Sequence, residues 1–197
     1  MAIACVLFDM DGVIRHWDPA VTDAIEDRHG LEQGAILATA FGPDLGPAVV
    51  VGELAYEDWA QEVGERLGCP AAVAEWGEWR GRPDGEALAL VDAVRGAGLT
   101  AAVLSNATSR LEEDLAVLGI DGHFDRIFNT ARLGVCKPEA AVYRRVLDDL
   151  ELDGEQVVFT DDTPGWADAA RQVGMHAVHF TGVGALRSEL QHLGVGV

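Results

Sequence analysis

Apolar residues in this chain fall into two kinds of run. Residues 2–8 (AIACVLF), 99–105 (LTAAVLS) and 156–160 (QVVFT) are short, continuous and β-rich, and 176–180 (HAVHF) is a weaker example. A strand with one wet face alternates apolar and polar residues. Unbroken runs of this length fit strands buried on both faces, as in a parallel sheet. Helical patterns lie between and after them at about 86–97, 109–118, 139–150, 164–173 and 183–193. Gly98, Gly119 and Gly174 stand just past three of these, where a left-handed terminator is usual. Strand–helix alternation predicts a doubly wound α/β domain.

Residues 17–82 break that rhythm, with no convincing strand and the pattern of three or four helices. Asp18-Pro19 reads as an N-cap followed by a first-turn proline, with Gly30 as the stop. Leu54, Trp59, Val63 and Leu67 recur at helical spacing before Gly68, and Pro70 opens a further helix containing Trp76 and Trp79. Trp17, Trp59, Trp76 and Trp79, four of the five tryptophans, fall in this segment. They are read as the aromatic core of a small helical unit, with some lining a pocket. The segment is therefore an expected insertion after the first strand, with hinges near 14–17 and 81–85. The division is 1–16 and 83–197 for the core and 17–82 for the insertion.

Charge narrows the partners. There are 33 acidic against 14 basic residues, a formal net charge of −19. That excess argues against nucleic acid and against anionic membrane surfaces, which bind clustered Lys and Arg. Most of it is a solvating surface. Cys5, Cys69 and Cys136 have neither metal-ligand nor redox spacing, so a reducing, cytoplasmic setting is expected, with Cys5 as a small core residue. The N-terminal apolar run is too short for a signal peptide and lacks a basic flank, and nothing elsewhere approaches a membrane span. Of the 14 basic residues 13 are arginine, and the lone lysine is Lys137.

Candidate chemistry gathers at the strand ends, where open α/β sheets bind ligands. The first run leads into Asp9, Met10, Asp11 and Gly12. Alone, this is equally an ordinary turn. The second ends in Ser105 and Asn106 just before a helical pattern, which reads either as an N-cap or as an anion site. Lys137 precedes Pro138 and Glu139, and the run at 156–160 closes on Asp161 and Asp162. Crowded carboxylates raise one another's pKa unless a cation intervenes, and Mg²⁺ is held by one or two carboxylates plus phosphate oxygens. A carboxylate nucleophile, a second carboxylate moving protons and an ammonium offsetting charge together make a phosphoryl-transfer constellation.

The segments FDMDGVI, LSN, GVCKPE and FTDDTPGWADAARQVG resemble, in order, the four motifs of the haloacid dehalogenase-like hydrolases. The insertion resembles that superfamily's α-helical cap, as found in sugar-phosphatase-like and epoxide-hydrolase-phosphatase-like members. The resemblance covers essentially the whole chain and implies a Rossmann-like sheet ordered 3-2-1-4-5. It implies Asp9 as nucleophile and Asp11 as general acid/base. Mg²⁺ would be held by the Asp9 carboxylate, the Asp11 carbonyl, Asp162, and Asp161 directly or through water. Ser105, the Asn106 backbone and Lys137 would hold the phosphoryl group. Trp166 stands where many relatives have Asn or Gly; it either narrows the site or packs beneath it.

Within that family Asp11 favours phosphoryl chemistry, since the dehalogenases lack an acid there. A phosphomutase of the β-phosphoglucomutase type needs a grip on a second phosphate, for which Arg15, Arg28, Arg66, Arg80 and Arg82 are the candidates. A response-regulator receiver has its acids in a different order and no helical insertion, and a non-catalytic relative would not be expected to retain every catalytic residue. The expectation is a Mg²⁺-dependent phosphatase of a small phosphorylated metabolite, possibly a sugar phosphate, working as a monomer or homodimer. His16, Trp17, Glu53, Tyr56 and Trp59 are the candidate substrate contacts.

Overall fold

The computed structural model of the chain describes residues 2–197. Strand β1 (Cys5–Phe8) is followed by the short β2 (Arg15–His16). Five helices come next: α1 (Pro19–His29), α2 (Ala35–Ala40), α3 (Gly46–Val50), α4 (Tyr56–Leu67) and α5 (Pro70–Glu78). The chain returns through β3 (Arg82–Pro83) to α6 (Gly85–Gly96), β4 (Thr100–Ser105), α7 (Leu111–Leu118) and β5 (Arg126–Asn129). It ends with α8 (Thr130–Leu133), α9 (Ala140–Leu150), β6 (Val157–Asp161), α10 (Pro164–Gln172), β7 (His176–His179) and α11 (Val183–His192).

Strands β1, β4, β5, β6 and β7 form one parallel sheet in the spatial order β5-β4-β1-β6-β7. Counting these five alone, that is the 3-2-1-4-5 order expected. Val6 and Phe8 face Leu90, Leu111 and Leu186 of α6, α7 and α11. Cys5 and Leu7 face Tyr143, Val146 and Ala170 of α9 and α10. Both faces of β1 are therefore dry, which is why its sequence shows no alternation. Burial also pushes the Cys5 thiol up to about 12, as suits an inert core residue. Strand order reverses at β1, so the crevice beyond its carboxyl end is the natural place for a ligand.

The insertion enters on β2 and leaves on β3, which pair antiparallel with Arg15 opposite Pro83 and His16 opposite Arg82. It holds five helices rather than three or four. The extra ones, α2 and α3, are one to two turns long, too short for a periodic signal. Asp18 caps α1 by accepting from the Ala20 N–H at 3.0 Å, and Gly30 ends it in the left-handed region at φ +68°. The start of α2 is capped from a distance: buried Glu26 accepts from the Gly34 and Ile36 N–H groups at 2.7 and 2.8 Å. Trp59 anchors the insertion's core with Ala40, Val49, Val63 and Val73, and its indole N–H donates to the Ala40 carbonyl at 2.8 Å.

Two further differences bear on the site. The edge strand β5 carries an exposed Arg126 in only four residues, and that composition concealed it. Helix α7 starts at Leu111, not directly after Asn106. Asn129 donates to the Thr108 carbonyl at 2.9 Å, and the Ser109 hydroxyl accepts from the Tyr56 N–H at 2.9 Å. These bonds hold the connection 106–110 out of the helix, so Ser105 and Asn106 lie on a strand end and its loop, not on a helix N-terminus. Among the described residues no helix is long and apolar enough to cross a membrane.

Candidate active site

The ends of β1 and β6 bring the acids together. Asp9 continues the ladder through its N–H to the Thr160 carbonyl at 2.8 Å, while Asp161 closes β6 with Asp162 behind it. One carboxylate oxygen from each of Asp9, Asp161 and Asp162 lies within 4.8 Å of the others. Lys137 reaches this cluster from the loop between α8 and α9. Its fully buried Nζ donates to Asp9 Oδ1 at 2.6 Å and to Asp161 Oδ2 at 2.8 Å. The Asn106 side chain fixes the Lys137 backbone from both sides, accepting its N–H and donating to its carbonyl, both at 2.9 Å. Trp166 lies with its ring centroid 4.5 Å from the ammonium, a cation–π contact. It packs against the lysine, and its carbonyl accepts from Tyr143 at 2.9 Å.

Electrostatics here are dominated by burial. It pushes the Asp9 carboxyl up to about 7, with Lys137 opposing the rise and Asp161 adding to it. Burial and Asp161 likewise raise Asp162. Three carboxylates facing one ammonium carry two uncompensated negative charges, and their donors are hard oxygens. That set fits a divalent cation such as Mg²⁺. Gly12 is part of the same construction. It sits at φ +90°, and a Cβ there would lie 2.1 Å from Asp162 Oδ2. Only glycine lets the first loop close against Asp162.

Asp11 takes no part in the three-acid cluster. Arg15 grips its carboxylate in a fork, Nε to Oδ1 at 2.6 Å and Nη2 to Oδ2 at 3.0 Å, and the Trp17 indole donates to Oδ1 at 2.8 Å. Its carboxylate is thus directed away from the cluster, and the expectation for Asp11 on the metal concerned its backbone carbonyl only. Buried Arg15 also reaches Asp114, which Arg80 and Arg110 approach at 2.9 Å each. Arg110 and Asp114 were not foreseen: an i, i+4 pair on a helix reads as an ordinary surface ion pair. Ser105 lies buried at the end of β4, opposite Asn129 in register.

Beside Asp11 and Asn106 opens a cavity of about 340 Å³, roofed by the insertion and floored by residues 106–114. Trp17, Tyr56 and Trp59 line it as expected; Trp76, Trp79, Leu37 and Phe41 complete its apolar wall. His16 and Glu53 do not line it. His16 lies 3.1 Å from Asp84 instead, and Glu53 is exposed. Arg28 and Arg66 pair with Glu75 and with Glu62 and Asp44 on the outside of the insertion, and Arg82 is exposed.

Residues 3–174 match the family model for haloacid dehalogenase-like hydrolases. The chain is similar to sesquiterpene phosphatase astK of Aspergillus oryzae, 26% identical over 192 residues, covering 95% of this chain and 94% of that protein. It is also similar to bifunctional epoxide hydrolase 2 of Sus scrofa, 25% identical over 204 residues, where it spans only 36% of the relative's length. Among solved structures, a HAD family enzyme of Bacteroides thetaiotaomicron, in complex with magnesium and inorganic phosphate, superposes with a TM-score of 0.76. It is 17% identical, over 90% of this chain and 93% of that one.

Proposed function

The chain belongs to the haloacid dehalogenase-like hydrolases, and from that premise we propose that it is a Mg²⁺-dependent phosphatase of a small phosphate monoester. The observation that carries the reading is Lys137 bridging Asp9 and Asp161 inside the three-acid cluster, with Asp11 two residues beyond Asp9. Lys137 occupies Asp9 Oδ1; Oδ2 has no hydrogen-bond partner among the described residues, and it is the oxygen for attack on phosphorus. The P–O bond to the alcohol breaks as the Asp9 carboxylate bonds to phosphorus, and Asp11 gives a proton to the departing alkoxide. Water then attacks the aspartyl-phosphate, Asp11 takes its proton, and inorganic phosphate leaves with Asp9 regenerated. Asp9, Asp161, Asp162 and the Asp11 carbonyl would hold Mg²⁺, which would supply charge for the phosphoryl oxygens. Ser105, the Asn106 backbone and Lys137 hold those oxygens from the other side.

Asp11 separates this reading from dehalogenation. The mutase alternative is disfavoured by the arginines: Arg15 and Arg80 are already tied to Asp11 and Asp114, and the others point elsewhere. The similarity to a protein named as a phosphatase supports the same choice. In this reading residues 1–16 and 83–197 are the catalytic core and 17–82 the cap. The protein works in the cytoplasm, as a monomer or homodimer, without nucleic-acid or membrane partners. The test is Mg²⁺-dependent phosphate release from p-nitrophenyl phosphate. Asp9→Asn is expected to lower kcat by about 10³-fold or more; turnover surviving that change removes the nucleophile.

A further inference from the structure

The wall of the cavity beside Asp11 says what alcohol the phosphate is attached to. Trp17, Leu37 and Phe41 are 40, 45 and 48% exposed. They are three of the four large apolar side chains left exposed among the described residues, and all three line this one cavity. Scattered exposed apolar residues need no explanation, but a concentration of them in one concavity does. The wall is also pre-formed. Phe41 lies 5.4 Å from Trp59 and 6.4 Å from Trp76, Trp59 lies 5.9 Å from Trp76, and the Arg110 guanidinium covers the Tyr56 ring at 3.8 Å. Interlocked rings of this kind resist collapse into the empty space.

Several of the wall's polar groups are committed, and the buried Trp79 indole N–H is left without a hydrogen-bond partner among the described residues. The Trp17 indole serves Asp11, the Trp59 indole serves the Ala40 carbonyl, and Arg15 and Arg110 are occupied by Asp11 and Asp114. A sugar buried here would leave several hydroxyls unpaired, each weakening binding about fivefold or more. A hydrocarbon gains about threefold to fourfold for every methylene it brings out of water. At about 30 Å³ for each water-sized group, the cavity of about 340 Å³ holds on the order of ten carbons.

We propose that the substrate is the phosphate monoester of a hydrocarbon alcohol, whose chain or ring system fills the cavity lined by Trp17, Leu37, Phe41, Tyr56 and Trp76 while its phosphate meets Asp9. The proposal rests on the phosphatase reading and deepens it. The cavity is continuous with the catalytic residues, since Asp11 and Asn106 line both, so its occupant is the leaving group of the ester.

The test is a substrate series on the Mg²⁺-loaded protein: methyl, butyl, hexyl and octyl phosphate, geranyl phosphate, and glucose 6-phosphate. kcat/KM is expected to climb about threefold to fourfold per methylene along the alkyl series and to exceed that for glucose 6-phosphate by about 100-fold or more at octyl and geranyl. Leu37→Asp, on the exposed lip, is expected to lower the ratio of octyl to methyl phosphate kcat/KM by about tenfold or more. Independently of turnover, octanol is expected to change the intrinsic tryptophan fluorescence saturably, and hexane-1,2,3,4,5,6-hexol to leave it unchanged. A flat alkyl series, a preference for glucose 6-phosphate, or absence of a saturable octanol response overturns the proposal. If p-nitrophenyl phosphate and every ester resist hydrolysis while octanol still binds, the phosphatase reading fails and the apolar cavity stands.

Discussion

Replacing Lys137 with methionine is the most informative single perturbation. Methionine approximates the lysine stem but lacks the ammonium, so the buried Asp9 Oδ1 and Asp161 Oδ2 lose a donor at 2.6 and 2.8 Å. Removing one partner of a buried ion pair costs about 3–5 kcal/mol. A protein of this size loses about 2–4 °C of Tm per kcal/mol, so a fall of roughly 10 °C is expected in metal-free protein. The loss carries a pH signature. Burial already holds Asp9 at about 7 against Lys137's opposing pull, and without that pull its pKa rises further. An acid whose native pKa exceeds its unfolded value costs no stability at low pH and its full amount above the native pKa. The variant's deficit, measured by calorimetry in chelator, is therefore expected to be small near about pH 5 and to grow as pH rises through about 7 and beyond. At neutral pH the variant's Asp9 is largely protonated, and the phosphoryl group loses the ammonium's share of its charge compensation, so kcat falls by about 10²–10³-fold. A deficit independent of pH would mean that Lys137 contributes packing alone. A kcat within about tenfold of wild type would mean that its charge does not act on the reaction.

Other consequences are equally direct. Mg²⁺ must displace the proton that the buried Asp9 holds up to about 7, so its stabilisation in thermal melts should be greater near about pH 8 than near about pH 5; equal gains would remove Asp9 from the ligand set. Gly12→Ala drives a Cβ to within 2.1 Å of Asp162 Oδ2 and strains a φ of +90°. It should cost about 1–3 kcal/mol and raise the Mg²⁺ concentration for half-maximal activity about tenfold or more, whereas an unchanged metal titration would free Asp162 from metal binding. Arg15→Leu takes the fork from Asp11, so kcat should fall about 10–100-fold with a displaced pH–rate profile and partial rescue in Arg15→Lys; an unshifted profile would show that Asp11 needs no such positioning.

What could be read in advance follows the length scale of each signal. β1, β4 and β6 were legible because both faces of each are buried and their apolar runs are unbroken. The acids were legible because those runs fix where a strand ends. β5 was hidden by its edge position, and α2 and α3 were hidden by their brevity. The apolar cavity lay beyond such reading, since its wall is assembled from α1, α2, α4 and α5 against residues 106–114. Trp59 and Tyr56 were picked out by type; Leu37 and Phe41 had no local mark that separates a pocket wall from a helix face. Asn106 was read for its backbone, yet its side chain has the visible task of holding Lys137.

The distribution of basic residues follows from the shapes of the two sites. Between Asp9 and Asp161, beneath Trp166, the available space suits a compact ammonium donating in two directions. A planar guanidinium would not fit both bonds without opening the cluster. Around Asp11 the requirement is reversed: its carboxylate is held in one orientation by two parallel bonds from Arg15, which the arginine fork does and a point charge does not. In the proposed reading lysine therefore stands where charge must meet the nucleophile and the transferring group, and Arg15 where the proton-moving Asp11 must be aimed. Asp9, Lys137 and Asp161 are thus buried charges that do not line the cavity. In the proposed reading, recognition of the alcohol falls to an apolar wall that touches the phosphoryl chemistry only through the Trp17 indole on Asp11. Substitutions in that wall should redirect substrate choice, while those in the charged cluster should weaken hydrolysis of every ester alike.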